Sequence, residues 1–148
     1  MPASTEPRFT TKGNYSTDGA GAMHTGIGTS AATDYDGTGA NNQIIFTAGA
    51  NGACVAGLHF EAKGTNVQTV ARIYVNNGSA NTTAANNVLV GKMTLPATTA
   101  AANSAELSVD YSFPGIAADL PPGYRILIGI GTAVASGWVV SPTYGADF

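Results

Sequence analysis

The chain has 148 residues, of which 44% are hydrophobic and only 10% are charged, and its net charge is −3. This length suits one compact domain with a sizeable core. The six lysines and arginines are scattered rather than clustered, which argues against nucleic-acid binding. No apolar run approaches the length of a membrane span. A surface with so little charge favours packing against neighbours, because self-repulsion is weak.

The N-terminal part of the chain differs in composition from the rest. Residues 1–35 contain few large apolar side chains and many small ones, so they cannot bury enough surface to fold alone. We therefore predict an extended N-terminal arm over residues 1–35, which orders against the domain or a neighbouring subunit, followed by a folded domain over residues 36–148. The start of the chain lacks a charged residue followed by an apolar core, so we expect no secretion signal.

Short apolar or alternating runs recur after the arm, separated by stretches rich in glycine, asparagine and proline. No long segment keeps the apolar period of a helix. The runs predict an all-β fold, a jelly-roll-like β-sandwich of about eight strands. The predicted strands lie in "QIIFTA" (43–48), "CVAGLHFEA" (54–62), "VQTVARIYVN" (67–76), "NVLVGKMTLP" (87–96), "AELSVDYSF" (105–113) and "GYRILIGIGT" (123–132), and around Trp138.

Alternation within the second predicted strand assigns its faces. Cys54, Ala56, Leu58 and Phe60 form one set, which we predict to face the core. A single cysteine has no partner for an internal disulfide. We therefore expect Cys54 to act as a small buried hydrophobic residue rather than a reactive thiol.

The stretch "DYDGTG" begins like a calcium-binding loop, with Asp34 and Asp36 at alternate positions. An EF-hand loop needs an Asp or Asn at its fifth position and a glutamate at its twelfth, where this chain has Thr38 and Ile45. Asp-Gly followed by Thr-Gly is instead a strong turn signal. We predict a structural corner, and cation binding remains the alternative.

Other candidate chemistry is weak in the sequence. His24 and His59 are far apart and lack zinc-site spacing, and no "GxSxG" nucleophile motif occurs. Glu106 and Asp110 lie on one strand face about 13 Å apart, too far for the usual glycosidase pair. We therefore predict no catalytic, metal-binding or cofactor-binding residues and no enzyme activity.

Aromatic residues leave two interpretations open. Most aromatic side chains at strand positions are core or interface anchors. Alternatively, several of them together form a platform on which a sugar stacks. The residues concerned are Tyr74, Tyr111, Tyr124, Trp138 and Tyr144.

Several segments in order resemble the head decoration (cement) proteins of tailed bacteriophages. They are "DGTG", "FTAGANG", "LHFEAKGTN", "ARIYVNNGS", "LPPGYRILIGIGT" and "GWVVSPTYGADF", and they span residues 36–148. The resemblance implies a jelly-roll-like sandwich, commonly trimeric, that binds the major capsid protein on the outside of the virion after synthesis in the host cytoplasm. It implies no catalysis and no cofactor.

We expect the arm to supply the contacts to the capsid or to a neighbouring subunit. Its few residues able to anchor such a contact are Arg8, Phe9, Lys12, Tyr15, Met23 and His24. The competing hypothesis is a tail- or neck-associated β-domain that binds host glycan, which the aromatic residues motivate.

Overall fold

A computed structural model of the protein describes residues 12–13, 27, 29–103, 105, 107–114, 118–143 and 146–147. The described part contains a short 3-10 helix at Ala84–Asn86. Among the described residues, no helix is long and apolar enough to cross a membrane. The strands are β1 (Lys12–Gly13), β2 (Gln43–Thr47), β3 (Ala53–Val55), β4 (Gly57–Ala62), β5 (Thr69–Asn76), β6 (Asn87–Leu95), β7 (Ser108–Ser112), β8 (Ala118–Leu120), β9 (Arg125–Ile130), β10 (Trp138–Thr143) and β11 (Ala146–Asp147).

The strands form antiparallel sheets in the orders β1-β11-β3-β8, β10-β4-β7 and β2-β9-β5-β6. The first two sheets continue each other, because β4 follows β3 after Ala56, β8 follows β7 and β11 follows β10. The predicted all-β sandwich is confirmed. The jelly-roll topology stays a prediction, which the strand order favours. Between β1 and β10 the chain crosses from one layer to the other at every connection except three. The exceptions are the β5–β6 hairpin and the β3–β4 and β7–β8 connections, where one strand continues the other.

The core lies between the two layers and is built from the inward residues of alternating strands. Its largest fully buried aliphatic and aromatic side chains include Phe46, Phe60, Ile73, Ile128 and Trp138. Each such side chain contributes about 2 kcal/mol to folding by leaving water. The sandwich therefore rests on burial from nearly every strand.

The face prediction for residues 54–62 is right in β4 and wrong in β3. Leu58 and Phe60 are fully buried as expected, whereas Cys54 is only half-buried and its neighbour Val55 faces the core. The alternation changes phase at Ala56, which separates the two strands. A one-residue interruption moves every preceding side chain to the opposite face, because the period of a strand is two.

Strands β5 and β9 are buried on both faces. Ile73 and Ile128 face the core, yet Arg72, Tyr74 and Leu127 on the other side are also buried. Residues 29–42, which we call the covering segment, lie over this second face.

Hydrogen bonds hold the covering segment in place. The Ala32 amide donates to the Ile130 carbonyl (2.8 Å), and Nη1 of Arg72 donates to the Ala32 carbonyl (2.7 Å). The Tyr74 hydroxyl donates to the Asp34 carbonyl (3.2 Å). A buried guanidinium is costly unless its N–H groups have hydrogen-bond partners. The bond from Arg72 to the Ala32 carbonyl therefore fixes the segment and also stabilises the buried cation.

Further contacts place other parts of the N-terminal region against the sandwich. In β1, Lys12 pairs with Asp147 of β11, and Ile27 forms a bridge to Trp138 with an N–O distance of 2.7 Å. The division into an arm at 1–35 and a domain at 36–148 stays a prediction.

Asn66 ties together the loops at one end of the sandwich. Its side chain is buried; Nδ2 donates to the carbonyls of Gly64 (3.2 Å) and Gly137 (3.0 Å), while Oδ1 accepts from the amides of Ser136 and Gly137 (both 2.9 Å). Its backbone also pairs with Thr98 in both directions. One amide thus satisfies backbone groups of two loops distant in sequence.

We expect Asn66→Ala to lower the free energy of unfolding by about 3 kcal/mol, because two backbone amides and two carbonyls lose buried partners. Urea unfolding measures this change, and Asn103→Ala at an exposed turn is the matched control, expected to stay within about 0.5 kcal/mol of the native protein. A loss below about 1 kcal/mol at Asn66 would contradict the role given to this side chain.

A substitution at Gly129 tests whether the covering segment packs against β9. A Cβ at this position would collide with Oδ1 of Asn42 and lie 2.9 Å from Cβ of Ala32. We expect Gly129→Ala to cost about 2 kcal/mol of stability. The cost should fall when Asn42→Ala removes the first obstacle, as a double-mutant cycle by thermal unfolding would show. Strictly additive effects would mean that the segment does not sit there.

Candidate functional site

The structure describes little of the predicted contact set. Lys12 lies in β1, where its backbone pairs with that of Asp147, and its side chain is not described. The other predicted contact residues, Arg8, Phe9, Tyr15, Met23 and His24, lie outside the described residues. Their role in binding stays a prediction.

The "DYDGTG" stretch forms the predicted corner. Oδ1 of Asp36 accepts hydrogen bonds from the Thr38 hydroxyl (2.6 Å) and the Thr38 amide (3.1 Å). These bonds, the hydroxyl first, lower the pKa of the Asp36 carboxyl. Gly37 has a positive φ of 78°, which an L side chain rarely adopts, and a Cβ there would press on Tyr74 and Asn87. The carboxylate therefore closes the turn.

Side chains that commonly ligate metals are dispersed over the described ranges. Within them, no group of three or more His, Cys, Asp or Glu residues is arranged to hold a metal ion. His59 instead pairs with a single carboxylate, with Nδ1 lying 2.6 Å from Oδ1 of Asp110.

The outer side of β10-β4-β7 presents a regular polar surface, which we call the open face. Ser141, His59 and Asp110 lie directly opposite one another across the three strands. The next row contains Val139, Glu61 and Ser108. These side chains project outward because their neighbours along each strand, such as Phe60 and Val140, face the core.

The open face differs from the outer side of β2-β9-β5-β6. Only the centre of that second side, at Arg72, Tyr74 and Leu127, lies under the covering segment. On the open face, by contrast, Glu61, Ser108 and Asp110 are exposed. The open face is thus an area of mostly polar side chains on three paired strands, with backbones fixed by hydrogen bonding to β4. Such a surface suits a protein partner, because little order has to be created on binding.

Two of the aromatic residues proposed for a sugar platform are unavailable to a ligand. Trp138 and Tyr74 are both 0% exposed. Tyr111 is half-buried, packs edge-on against Phe113 at 5.3 Å and donates to the Val90 carbonyl. Tyr144 lies outside the described residues. A platform on Trp138 and Tyr74 is therefore wrong, because both side chains serve the interior.

Tyr124 of that set lines a pocket. The pocket has a volume of about 290 Å³ and lies where β5, β6 and the 3-10 helix meet. Its lining includes Val75, Val88, Asn77 and Asn86. Sequence reasoning missed these residues, although the asparagine-rich loop "NNGSANTTAANN" between two strands was a visible signal of a polar rim.

Cys54 is a free, half-buried thiol. Burial raises its pKa, and the neighbouring carboxylate of Asp119 adds to the increase. Both effects disfavour the thiolate, which is the reactive form. The expectation of an unreactive cysteine is supported, while the expectation of full burial is not.

Comparison with known proteins adds no identification. No protein-family model, no curated protein and no solved structure matches the chain.

The corner predicts a measurable titration change. Because the folded-state pKa of Asp36 is lowered, its ionisation adds stability above the ordinary carboxyl pKa, and that stability is lost as pH falls through the lowered value. We expect Thr38→Val to move the pKa upward, towards its ordinary range. NMR titration of Asp36 measures this, and Thr99→Val at an exposed site is the control. An unchanged pKa in Thr38→Val would contradict the turn geometry.

Proposed function

We propose that the protein is a structural binding module that decorates the outer surface of a phage capsid and stabilises the shell. The observation that supports the binding part is a difference between the two outer faces within the described residues: residues 29–42 cover the centre of the β2-β9-β5-β6 face, whereas Glu61, Ser108 and Asp110 on the open face are exposed. The capsid as the partner rests on the resemblance of residues 36–148 to decoration proteins.

The open face supports contact with a fixed protein lattice. Its exposed residues are short or moderate in length and stand on paired strands, so binding costs little side-chain and backbone entropy. Contacts of this kind are individually weak, but a shell repeats them many times. Binding only the assembled lattice stabilises that state by mass action.

The arm adds area in this proposal. Ile27 is held against Trp138, and Lys12–Gly13 is paired with β11, so the N-terminal region is attached to the sandwich at two described points. Arg8, Phe9, Lys12, Tyr15, Met23 and His24 then reach the major capsid protein or the next subunit of a trimer. The protein acts on the virion surface without a catalytic step or cofactor.

In the competing glycan-binding function, Trp138 and Tyr74 cannot form the sugar-binding surface, since both are buried. Among the described aromatic candidates, the pocket beside Tyr124 still supports it, and this pocket is separate from the open face. A tail or neck location is distinguished by copy number, because decoration requires a count comparable with that of the shell protein.

We expect purified protein to occupy undecorated mature capsids of its own phage, and Ser108→Arg on the open face to weaken binding at least about tenfold. The matched control is Ser79→Arg, an exposed serine on the loop before β6. Sedimentation of capsids with labelled protein measures occupancy, and quantitative mass spectrometry gives the copy number per virion.

The outcomes separate the parts of the proposal. Absence of binding to capsids would refute decoration. Binding that both arginine variants leave intact would refute the open face as the contact. Removal of residues 1–11 tests the arm without touching β1 or Ile27, which a deletion of residues 1–30 would also remove; unchanged affinity would exclude a role for Arg8 and Phe9.

A further inference from the structure

The pocket beside Tyr124 is built where the sandwich is open at one end. Val75 of β5 and Val88 of β6 are direct cross-strand partners, and Tyr124 stands just before β9. Val75 and Tyr124 are partly buried and pack against the hydrophobic core. Val88 is 58% exposed, which is unusual for a β-branched residue paired on the core side of a sheet. The floor of the pocket is therefore apolar and open to solvent.

The rim of the pocket consists of asparagine side chains that hold one another. Nδ2 of Asn77 donates to Oδ1 of Asn86 (3.1 Å), and Nδ2 of Asn86 donates to the Ala80 carbonyl (2.9 Å). Oδ1 of Asn77 accepts from the Ser79 amide (3.0 Å). The backbones of Asn77 and Asn86 are also hydrogen-bonded. The amides are thus fixed in position before any ligand arrives.

These amides keep capacity for further hydrogen bonds. An amide nitrogen carries two hydrogens and an amide oxygen two lone pairs. The bonds of Asn77 and Asn86 within the described structure use one hydrogen of each nitrogen. A ligand at the rim therefore meets both donors and acceptors at fixed positions.

The lining selects a chemical class. All of its side chains are uncharged: valines, an alanine, a tyrosine and asparagines. A charged ligand would lose hydration without gaining an ionic partner. A purely apolar ligand would leave the rim amides unpaired. A ring with an apolar face and several hydroxyl groups satisfies both the floor and the rim.

We propose that this pocket binds a neutral saccharide unit, with the apolar floor at Val88 and Tyr124 contacting ring C–H groups and the amides of Asn77 and Asn86 pairing with hydroxyls. The volume of about 290 Å³ lies at the lower end of the range for small-molecule sites, about 300–1,000 Å³, so the ligand is one or two sugar units. This site goes beyond capsid binding and does not depend on it.

The test uses the full chain and three neutral probes: methyl β-glucoside, methyl β-galactoside and N-acetylglucosamine. Two-dimensional NMR follows the side-chain amide signals of Asn77 and Asn86 during titration. We expect at least one probe to give saturable shifts with a Kd on the order of 1 mM. Val88→Asp should weaken that binding at least about tenfold, because it places a charge on the apolar floor.

The matched control is Val67→Asp, since Val67 is 56% exposed and lies beside the Asn66 loops at the other end of the sandwich. It should bind the probe as the native protein does, and thermal unfolding checks that both variants are folded. Saturation absent for all three probes, equal weakening by both variants, or tighter binding of glucuronate or glucosamine would each overturn the proposal. Capsid occupancy measured in parallel keeps failure of this site distinct from failure of the decoration role.

Discussion

The buried guanidinium of Arg72 fastens the covering segment to the outer side of a sheet, and the burial of that side depends on this attachment. The group donates to the Ala32 carbonyl, and its Cζ lies 3.9 Å from the centre of the Tyr35 ring. If the segment detached, the cation would lose a carbonyl and an aromatic face together. Because the segment stays, β5 and β9 can carry large residues such as Tyr74 and Leu127 on the side away from the core.

In the proposed function, the face that the covering segment does not occupy is the one that meets a partner. The open face with His59 and Asp110 belongs to β4 and β7, and the pocket lies at the end of the covered sheet near Tyr124. Both surfaces are built on paired strands or on side chains locked by hydrogen bonds. They are therefore preorganised, and a partner does not have to order them on binding. Two separate surfaces also allow a protein fixed to one structure to hold a second ligand.

The sequence predicted the strands well because alternation is a local signal. The runs that became β4, β7 and β9 lie where glycine- and asparagine-rich stretches end. The phase change at Ala56 was missed, since a run of apolar residues reads the same with or without an interruption. Burial of Arg72 was also unpredictable, because its cover comes from Ala32, forty positions earlier. Of the candidate site, Tyr124 was among the aromatic candidates, but its separation from Trp138 and Tyr74 required the fold.

The asparagine network at the Asn66 end has a consequence for the conditions the protein can withstand. Its bonds join a neutral amide to backbone groups such as Gly137 and Ser136. At 0.1 M salt, dissolved ions screen interactions between exposed charges that lie more than about 10 Å apart, but they have little to screen in hydrogen bonds between neutral groups. The side-chain amide of Asn66 and its backbone partners also do not titrate between mild acid and mild base. The hydrogen bonds at that end of the sandwich therefore depend little on ionic strength.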